Sequence, residues 1–118
     1  MTFTQITYEE AGPVGTITIN RPDDGNMFTE TMCHEIRDCI ELIRRETRTR
    51  VIVLTGAGDK FFCIGGQKDG MEKTKLYAGT LPTLEMYEAI DKLQKPVIAS
   101  VNGFAVGGGN VLQMVCDV

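Results

Sequence analysis

Over Val14–Asn20 small or polar residues alternate with the apolar Ile17 and Ile19. A period of two is the signature of a half-buried strand. Ile6 to Glu10 forms a second short strand, separated from the first by the turn residues Ala11-Gly12-Pro13, and together they predict an antiparallel pair. Arg21-Pro22-Asp23-Asp24-Gly25-Asn26 then breaks the strand. From near Thr29 the period lengthens: Met32, Ile36, Ile40 and Ile43 fall at spacings of four, four and three. That is one apolar stripe of a helix, and its charged end, Arg44 to Arg50, suits a helix C-terminus.

Val51 to Thr55 is a continuous apolar run, which predicts a strand covered on both faces. Gly56 to Lys60 reads as a loop, and Phe61-Phe62-Cys63 as a short strand ending at Gly65-Gly66. Residues 67 to 80 are polar and contain glycine, predicting a loop or a frayed helix. A second helix is expected from Thr83 to Lys95, with Leu84, Tyr87, Ile90 and Leu93 on one side and Pro96 ending it. Tyr87 and its neighbour Met86 read as core or helix-surface residues. Val97 to Val101 is another buried strand, Asn102 to Gly109 a glycine-rich turn, and a last helix begins at Asn110. No repeat is visible in the residues. Strands alternating with helices give an α/β layout.

The chain has 118 residues, a one-domain length, and a formal charge of -4. That charge speaks against nucleic acid as a partner, which would call for a basic face. No apolar stretch is long enough to span a bilayer, so no membrane association is expected. The N-terminal residues lack the basic and apolar regions of a signal peptide, and the expected location is cytoplasmic. Cysteines stand at 33, 39, 63 and 116 with no C-x-x-C pair, and the one histidine is His34. Zinc-site spacing is absent, so no metal is expected, and the cysteines read as reduced, buried small hydrophobes. His34 lies about 200° round the helix from Met32 and reads as solvated rather than as a base.

Two glycine segments could carry chemistry. Phe62-Cys63-Ile64-Gly65-Gly66 and Asn102 to Gly109 each follow a strand, and the second directly precedes a helix. Glycine lets backbone approach a ligand and present a free N–H, and a helix N-terminus supplies further unpaired donors. Two such donors aimed at one carbonyl oxygen would form an oxyanion hole. The same glycines could equally serve tight turns or close helix packing.

Three longer segments bear on that choice. Ile19-Asn20-Arg21-Pro22 with Asn26 resembles the opening I-x-R-P-x-x-x-N-A of the crotonase (enoyl-CoA hydratase/isomerase) superfamily. Val51 to Cys63 resembles its V-L-x-G-x-G-x-x-F-C strand and turn, and Lys95 to Asp117 resembles K-P-V-I-A-A-V-N-G-x-A-x-G-G-G-x-E-L-x-x-x-C-D. The resemblance spans nearly the whole chain, in order, and implies that residues 1–118 are the N-terminal part of a crotonase-like domain, an incomplete spiral of ββα units. It implies an acyl-CoA thioester as substrate, with CoA entering as part of that substrate and no other bound cofactor. It also implies an enolate intermediate, and a homotrimer or hexamer at full length. Mapped onto this chain, the oxyanion-hole amides fall at Gly66 and Gly108. Substrate contacts fall at Ile64, Gly65, Gln67, Lys68, Tyr77, Phe104 and Gly107.

The sequence departs from the hydratase pattern at Val111, where hydratases carry a catalytic Glu. Gly107-Gly108-Gly109-Asn110-Val111-Leu112 with Cys116-Asp117 is more similar to the naphthoate synthase and 2-ketocyclohexanecarboxyl-CoA hydrolase branch, and closest to the hydrolase. In that branch Asp-Gln stands where this chain has Gln67-Lys68, and naphthoate synthases carry Arg in place of Gly25. The branch implies C–C bond hydrolysis or ring closure on a cyclic β-keto acyl-CoA. Hydration or isomerisation of an enoyl-CoA is one alternative, and an inactive remnant serving as a binding or scaffold module is another. Asp117, in the Cys-Asp pair, reads as a structural anchor. Two rivals fail on residues. Gly56-Ala57-Gly58 has Phe61 where a dinucleotide-binding G-x-G-x-x-G needs its third glycine. Ser100 has Ile98 where a nucleophile elbow needs glycine.

Overall fold

The structure, a computed structural model, describes residues 2–46, 48–66 and 82–118. Strand β1 (Ile6–Ala11) pairs antiparallel with β2 (Val14–Ile19), Ile6 opposite Ile19 and Ala11 opposite Val14. The turn between them is so short that no other pairing is reachable. β3 (Val51–Gly56) then lies parallel to β2, and β5 (Val97–Ser100) parallel to β3, giving a sheet in the order β1-β2-β3-β5. A second, two-stranded parallel sheet holds β4 (Phe61–Cys63) and β6 (Phe104–Ala105). With helices α1 (Glu30–Arg45), α2 (Pro82–Lys92) and α3 (Gly108–Val115), the described elements run β1-β2-α1, β3-β4-α2, β5-β6-α3. The ββα repeat that the residues hide is therefore present in the topology. Each parallel pairing needs a crossover, and a helix supplies it.

Helix α1 packs its stripe as expected: Met32, Ile36, Ile40 and Ile43 are buried, joined by Cys33 and Cys39. Thr29 is its N-cap, the hydroxyl oxygen accepting from the Met32 N–H at 3.0 Å. At the other end Lys95 reaches across and its Nζ donates to the carbonyls of Ile43, at 2.7 Å, and Glu46. The cation thus sits on the negative end of the helix dipole.

Four expectations need correction. α2 ends at Lys92, and its buried residues are Pro82, Met86 and Ile90, while Leu84 is exposed. Met86 lies two residues from Leu84, about 200° round the helix, so the stripe of Pro82, Met86 and Ile90 runs on nearly the opposite side from Leu84. α3 starts at Gly108 rather than Asn110, because Gly107 is already its N-cap. Part of the glycine-rich turn is the short strand β6, since Phe104 and Ala105 pair with Phe61 and Cys63. Finally, the apolar strands are not covered on both faces. β3 alternates half-buried and buried positions, and in β5 Val97 is buried while Ile98 is exposed.

Two buried or half-buried asparagines hold the loops between strands. Asn26, fully buried at φ 54°, accepts from the Arg21 N–H at 2.8 Å and donates from Nδ2 to the carbonyls of Ala57 (3.2 Å) and Phe61 (2.9 Å). Asn102 accepts from the Gly56 N–H at 3.0 Å and donates to the carbonyls of Gly58 (3.0 Å) and Phe61 (2.9 Å). The two amides therefore grip the β3–β4 loop from both sides and meet on one carbonyl, Phe61. Asn is among the few residues that accept a left-handed backbone, and its amide replaces missing loop hydrogen bonds.

Two outcomes follow. In the intact protein, Asn26→Gly keeps the left-handed backbone but strands the Ala57 carbonyl and the Arg21 N–H, leaving the Phe61 carbonyl to Asn102 alone. Urea unfolding should show a loss of roughly 2–4 kcal/mol, from a cost of about 1–3 kcal/mol per buried polar group left unpaired. The isolated 118-residue chain should associate. Phe104, Val106, Met114 and Val118 are all more than half exposed, at 62%, 54%, 69% and 79%, and exposed apolar patches promote association. Size-exclusion chromatography showing a clean monomer at tens of micromolar would count against this.

Candidate functional site

Both glycine segments emerge from the β4–β6 sheet. After β4 the chain passes Ile64, whose N–H donates to the Gly25 carbonyl at 3.2 Å, and reaches Gly65 at φ 103°. Few residues other than glycine adopt that backbone. The Gly65 carbonyl accepts from the Phe28 N–H at 2.8 Å, and Gly66 bridges Phe28. After β6 the chain turns through Gly107, at φ 55°, into the first turn of α3. The Gly107 carbonyl accepts from the N–H groups of Asn110 (3.0 Å) and Val111 (3.2 Å). That leaves the N–H of Gly108, at the very start of the helix, without an intrahelical acceptor.

The two segments touch backbone to backbone. A Cβ placed on Gly65 would lie 3.3 Å from the Gly108 nitrogen, and one placed on Gly109 would lie 1.9 Å from the Cys63 carbonyl oxygen. Among the described residues neither Gly66 nor Gly108 donates its N–H to any acceptor. Gly66 has open space where a Cβ would be, and it is exposed. The structure thus brings the two expected donor positions onto adjoining loops, one of them at a helix N-terminus.

The remaining predicted residues distribute as follows. Gly65 and Gly107 shape the two turns. The Ile64 side chain lies over Gly25, whose added Cβ would meet its Cδ1 at 2.5 Å. Phe104 is exposed, its ring tilted against Phe61 at 6.1 Å between centroids. Gln67, Lys68 and Tyr77 lie outside the described residues. Val111, in place of the hydratase Glu, is exposed on the first turn of α3. Asp117 ties the end of α3 to β5: its carboxylate accepts from the Val97 N–H at 2.8 Å and its own N–H donates to the Val97 carbonyl at 2.8 Å. His34 is half-buried on α1.

Phe28 and Tyr87 were not among the predicted site residues. Phe28 is fully buried, its N–H holds Gly65, and its ring meets the Tyr87 ring edge-on at 6.4 Å. The Tyr87 hydroxyl donates to the Gly108 carbonyl at 2.9 Å. Burial pushes the Tyr87 phenol above its ordinary range, with Cys33 and Cys63 adding to the effect. It therefore stays a neutral donor. The only available signal was chemical: a tyrosine on a helix face turned toward the core needs a partner for its hydroxyl.

Cys33 and Cys63 lie close enough to Tyr87 to act on it, and the other two thiols lie elsewhere in the fold. Burial pushes Cys33 and Cys39 up to about 12 and Cys63 and Cys116 up to about 11, from an ordinary 9.0. All four are free.

A family description, enoyl-CoA hydratase/isomerase, matches residues 9–118. A Dictyostelium discoideum protein described as a probable mitochondrial enoyl-CoA hydratase is 36% identical over 119 aligned residues, covering 98% of this chain and 42% of that protein. The crystal structure of an enoyl-CoA hydratase from Bacillus anthracis superposes with a TM-score of 0.88 at 31% identity, covering 97% of this chain and 46% of the other. Pseudomonas aeruginosa DspI superposes with a TM-score of 0.89 at 31% identity, covering all of this chain and 50% of the other. The fold is therefore the one expected from the ββα units, and the chain spans half or less of the length of these relatives. No helix among the described residues is long and apolar enough to cross a membrane.

The thiols make stability fall in alkali. In the unfolded chain they ionise near 9.0, in the folded chain at about 11 to about 12. Below pH 9 both states hold these protons and their contribution is complete. Above pH 9 the unfolded state binds fewer protons, so stability declines as pH rises toward the folded values. Melting temperature in the intact protein should be level from pH 7 to 8.5 and drop by pH 10. A fourfold Cys→Ala variant should lose that part of the slope.

Proposed function

From the premise that the chain belongs to the enoyl-CoA hydratase/isomerase family, we propose that the protein binds an acyl-CoA thioester. The N–H groups of Gly66 and Gly108 hold the thioester oxygen as the neighbouring carbon becomes an enolate. One observation carries this reading: two backbone donors without acceptors among the described residues sit on loops in direct backbone contact, one at the start of α3. An enolate concentrates negative charge on that oxygen, and fixed amide dipoles stabilise it without reorganising during the reaction. Nothing titratable is needed for this step. Backbone amides keep the same strength across the working pH range.

The reaction we favour is C–C bond hydrolysis or ring closure on a cyclic β-keto acyl-CoA. Its support is Val111, an exposed alkyl group where the hydratase pattern requires a carboxylate to move a proton. Hydration of an enoyl-CoA is the second reading, favoured by the names of the Dictyostelium and Bacillus relatives. We further propose a homotrimer or hexamer for the intact protein, with the exposed Phe104 and Met114 as apolar surface available for burial. CoA enters only as part of the substrate. The cytoplasm is the compartment we assign, against a mitochondrial designation for the Dictyostelium relative.

Gly108→Pro removes the N–H while keeping a residue tolerated at the first helical position. In the intact protein it should lower kcat by about a hundred- to a thousand-fold, the usual loss for one oxyanion-hole donor. Wild-type turnover by a folded Gly108→Pro protein would refute the donor assignment. Parallel assays with crotonyl-CoA and 2-ketocyclohexanecarboxyl-CoA decide the chemistry. We expect ring opening and slow hydration; fast hydration without ring opening selects the second reading.

A further inference from the structure

We infer that Tyr87 is the positioning residue of the oxyanion hole, locking the Gly108 end of it to the Gly65-Gly66 end through Phe28; this rests on the reading that Gly66 and Gly108 hold the thioester oxygen. Glycine has no side chain by which packing could fix it, so a catalytic amide on Gly108 needs an external reference. The Gly107–Gly108 peptide is held on one side, where the Gly107 carbonyl accepts from Asn110 and Val111. The next peptide is held at both ends. Its Gly108 carbonyl accepts from the Tyr87 hydroxyl at 2.9 Å, and its Gly109 N–H donates to the Val106 carbonyl at 2.9 Å. With both flanking peptide planes fixed, the direction of the Gly108 N–H is fixed too.

Tyr87 comes from α2 and ties the start of α3 to a different part of the chain. Its ring meets Phe28 edge-on, and Phe28 donates its own N–H to the Gly65 carbonyl. A continuous path therefore runs from Gly108 through the phenol, the Tyr87 ring and the Phe28 ring and backbone to Gly65. A Cβ on Gly108 would sit 3.0 Å from the Phe28 ring and 3.2 Å from the Tyr87 hydroxyl oxygen, so both rings bear directly on that glycine. This path adds a side-chain tie to the backbone contacts that bring the two loops together. Displacement of a donor by about 1 Å can cost around a hundredfold in rate. The hydroxyl makes no use of ionisation, since burial keeps it protonated.

The test is Tyr87→Phe in the intact protein, which keeps the ring and removes only the hydroxyl. The direct readout is the infrared carbonyl band of bound butyryl-CoA labelled with carbon-13 at the thioester carbon. Hydrogen bonds from a working oxyanion hole lower that frequency. We expect a clear lowering in the wild type and a smaller one in Tyr87→Phe, with kcat down about tenfold, the worth of one neutral hydrogen bond. KM should change little, since an interaction realised in the transition state shows in kcat. Phe28→Leu, which removes the ring between the two ends, should reduce the band shift in the same direction. A wild-type band shift retained in full by folded Tyr87→Phe overturns the Tyr87 inference and leaves the two-amide reading standing. No band shift in the wild type itself overturns the two-amide reading, and this inference with it. A purely structural role for Tyr87 would lower the melting temperature while leaving the band of the bound ligand where it was, and that result also overturns the inference.

Discussion

The site depends on one place where two stretches of backbone meet with nothing between them. A Cβ on Gly109 would stand 1.9 Å from the Cys63 carbonyl oxygen, and a Cβ on Gly103 would stand 2.2 Å from the Lys60 carbonyl oxygen. No rotamer relieves such a clash, since both partners are main chain. The crowded carbonyls are also acceptors: Cys63 takes the Val106 N–H at 3.1 Å and Lys60 takes the Phe104 N–H at 3.0 Å. Glycine at 103 and 109 is what lets β6 and the first turn of α3 lie against β4 closely enough to make those bonds. Once they are made, Gly65 and Gly108 adjoin as a consequence. Glycines for packing and glycines as donors are thus compatible readings. Gly103 and Gly109 allow the approach, and it brings together Gly66 and Gly108, whose N–H groups have no acceptor among the described residues.

That contact is stabilised by neutral groups. The Asn26 and Asn102 amides converge on the Phe61 carbonyl, and the Tyr87 phenol on that of Gly108. Charged pairs such as Arg44 with Glu41 and Arg48 with Glu10 sit at the surface, where they contribute little. Neutral hydrogen bonds in a buried setting are worth about 1 kcal/mol each when made and more when one partner is stranded. A framework of this kind tolerates no partial loss, yet it is indifferent to pH until the buried thiols begin to ionise in the unfolded chain. The proposed amide donors would benefit from that indifference, because their orientation does not titrate.

Periodicity recovered what depends on local burial. The stripe of α1 was legible because Met32, Ile36, Ile40 and Ile43 all face one core. The β1–β2 hairpin was legible because Gly12-Pro13 leaves one register available. β6 was not, because two residues carry no period and become a strand only through pairing with Phe61 and Cys63. The face of α2 was misassigned at Leu84 because a helix with apolar residues on several sides does not announce which side meets α1; Met86, packed in the core, decides it. Continuous apolar runs in β3 and β5 suggested two covered faces, whereas Ile98 and Val101 remain exposed. The proposed donor positions Gly66 and Gly108 came from the family resemblance. The contacts of Phe28 and Tyr87 beside them were not legible, because they join segments far apart in the chain.

The same physics separates what the family fixes from what it leaves open. An oxyanion hole built from main-chain amides depends on few side chains, on the reading above those of Tyr87 and Phe28, provided glycine remains at the points of contact. Substitution elsewhere can then change the reaction without disturbing the shared step of stabilising charge on a carbonyl oxygen, which is why fold does not imply function. Position 111 lies on the first turn of α3, three residues past Gly108, so its side chain is carried by the same helix as the proposed donor. A carboxylate there could exchange a proton with a bound substrate, whereas the valine can only exclude water and shape an apolar wall. Excluding water strengthens the amide dipoles but moves no proton. On the reading proposed above, a protein with valine at 111 would keep the charge-stabilising half of the chemistry and take its proton from another group or from a bound water. That difference at one position, rather than the fold, is what the two proposed reactions turn on.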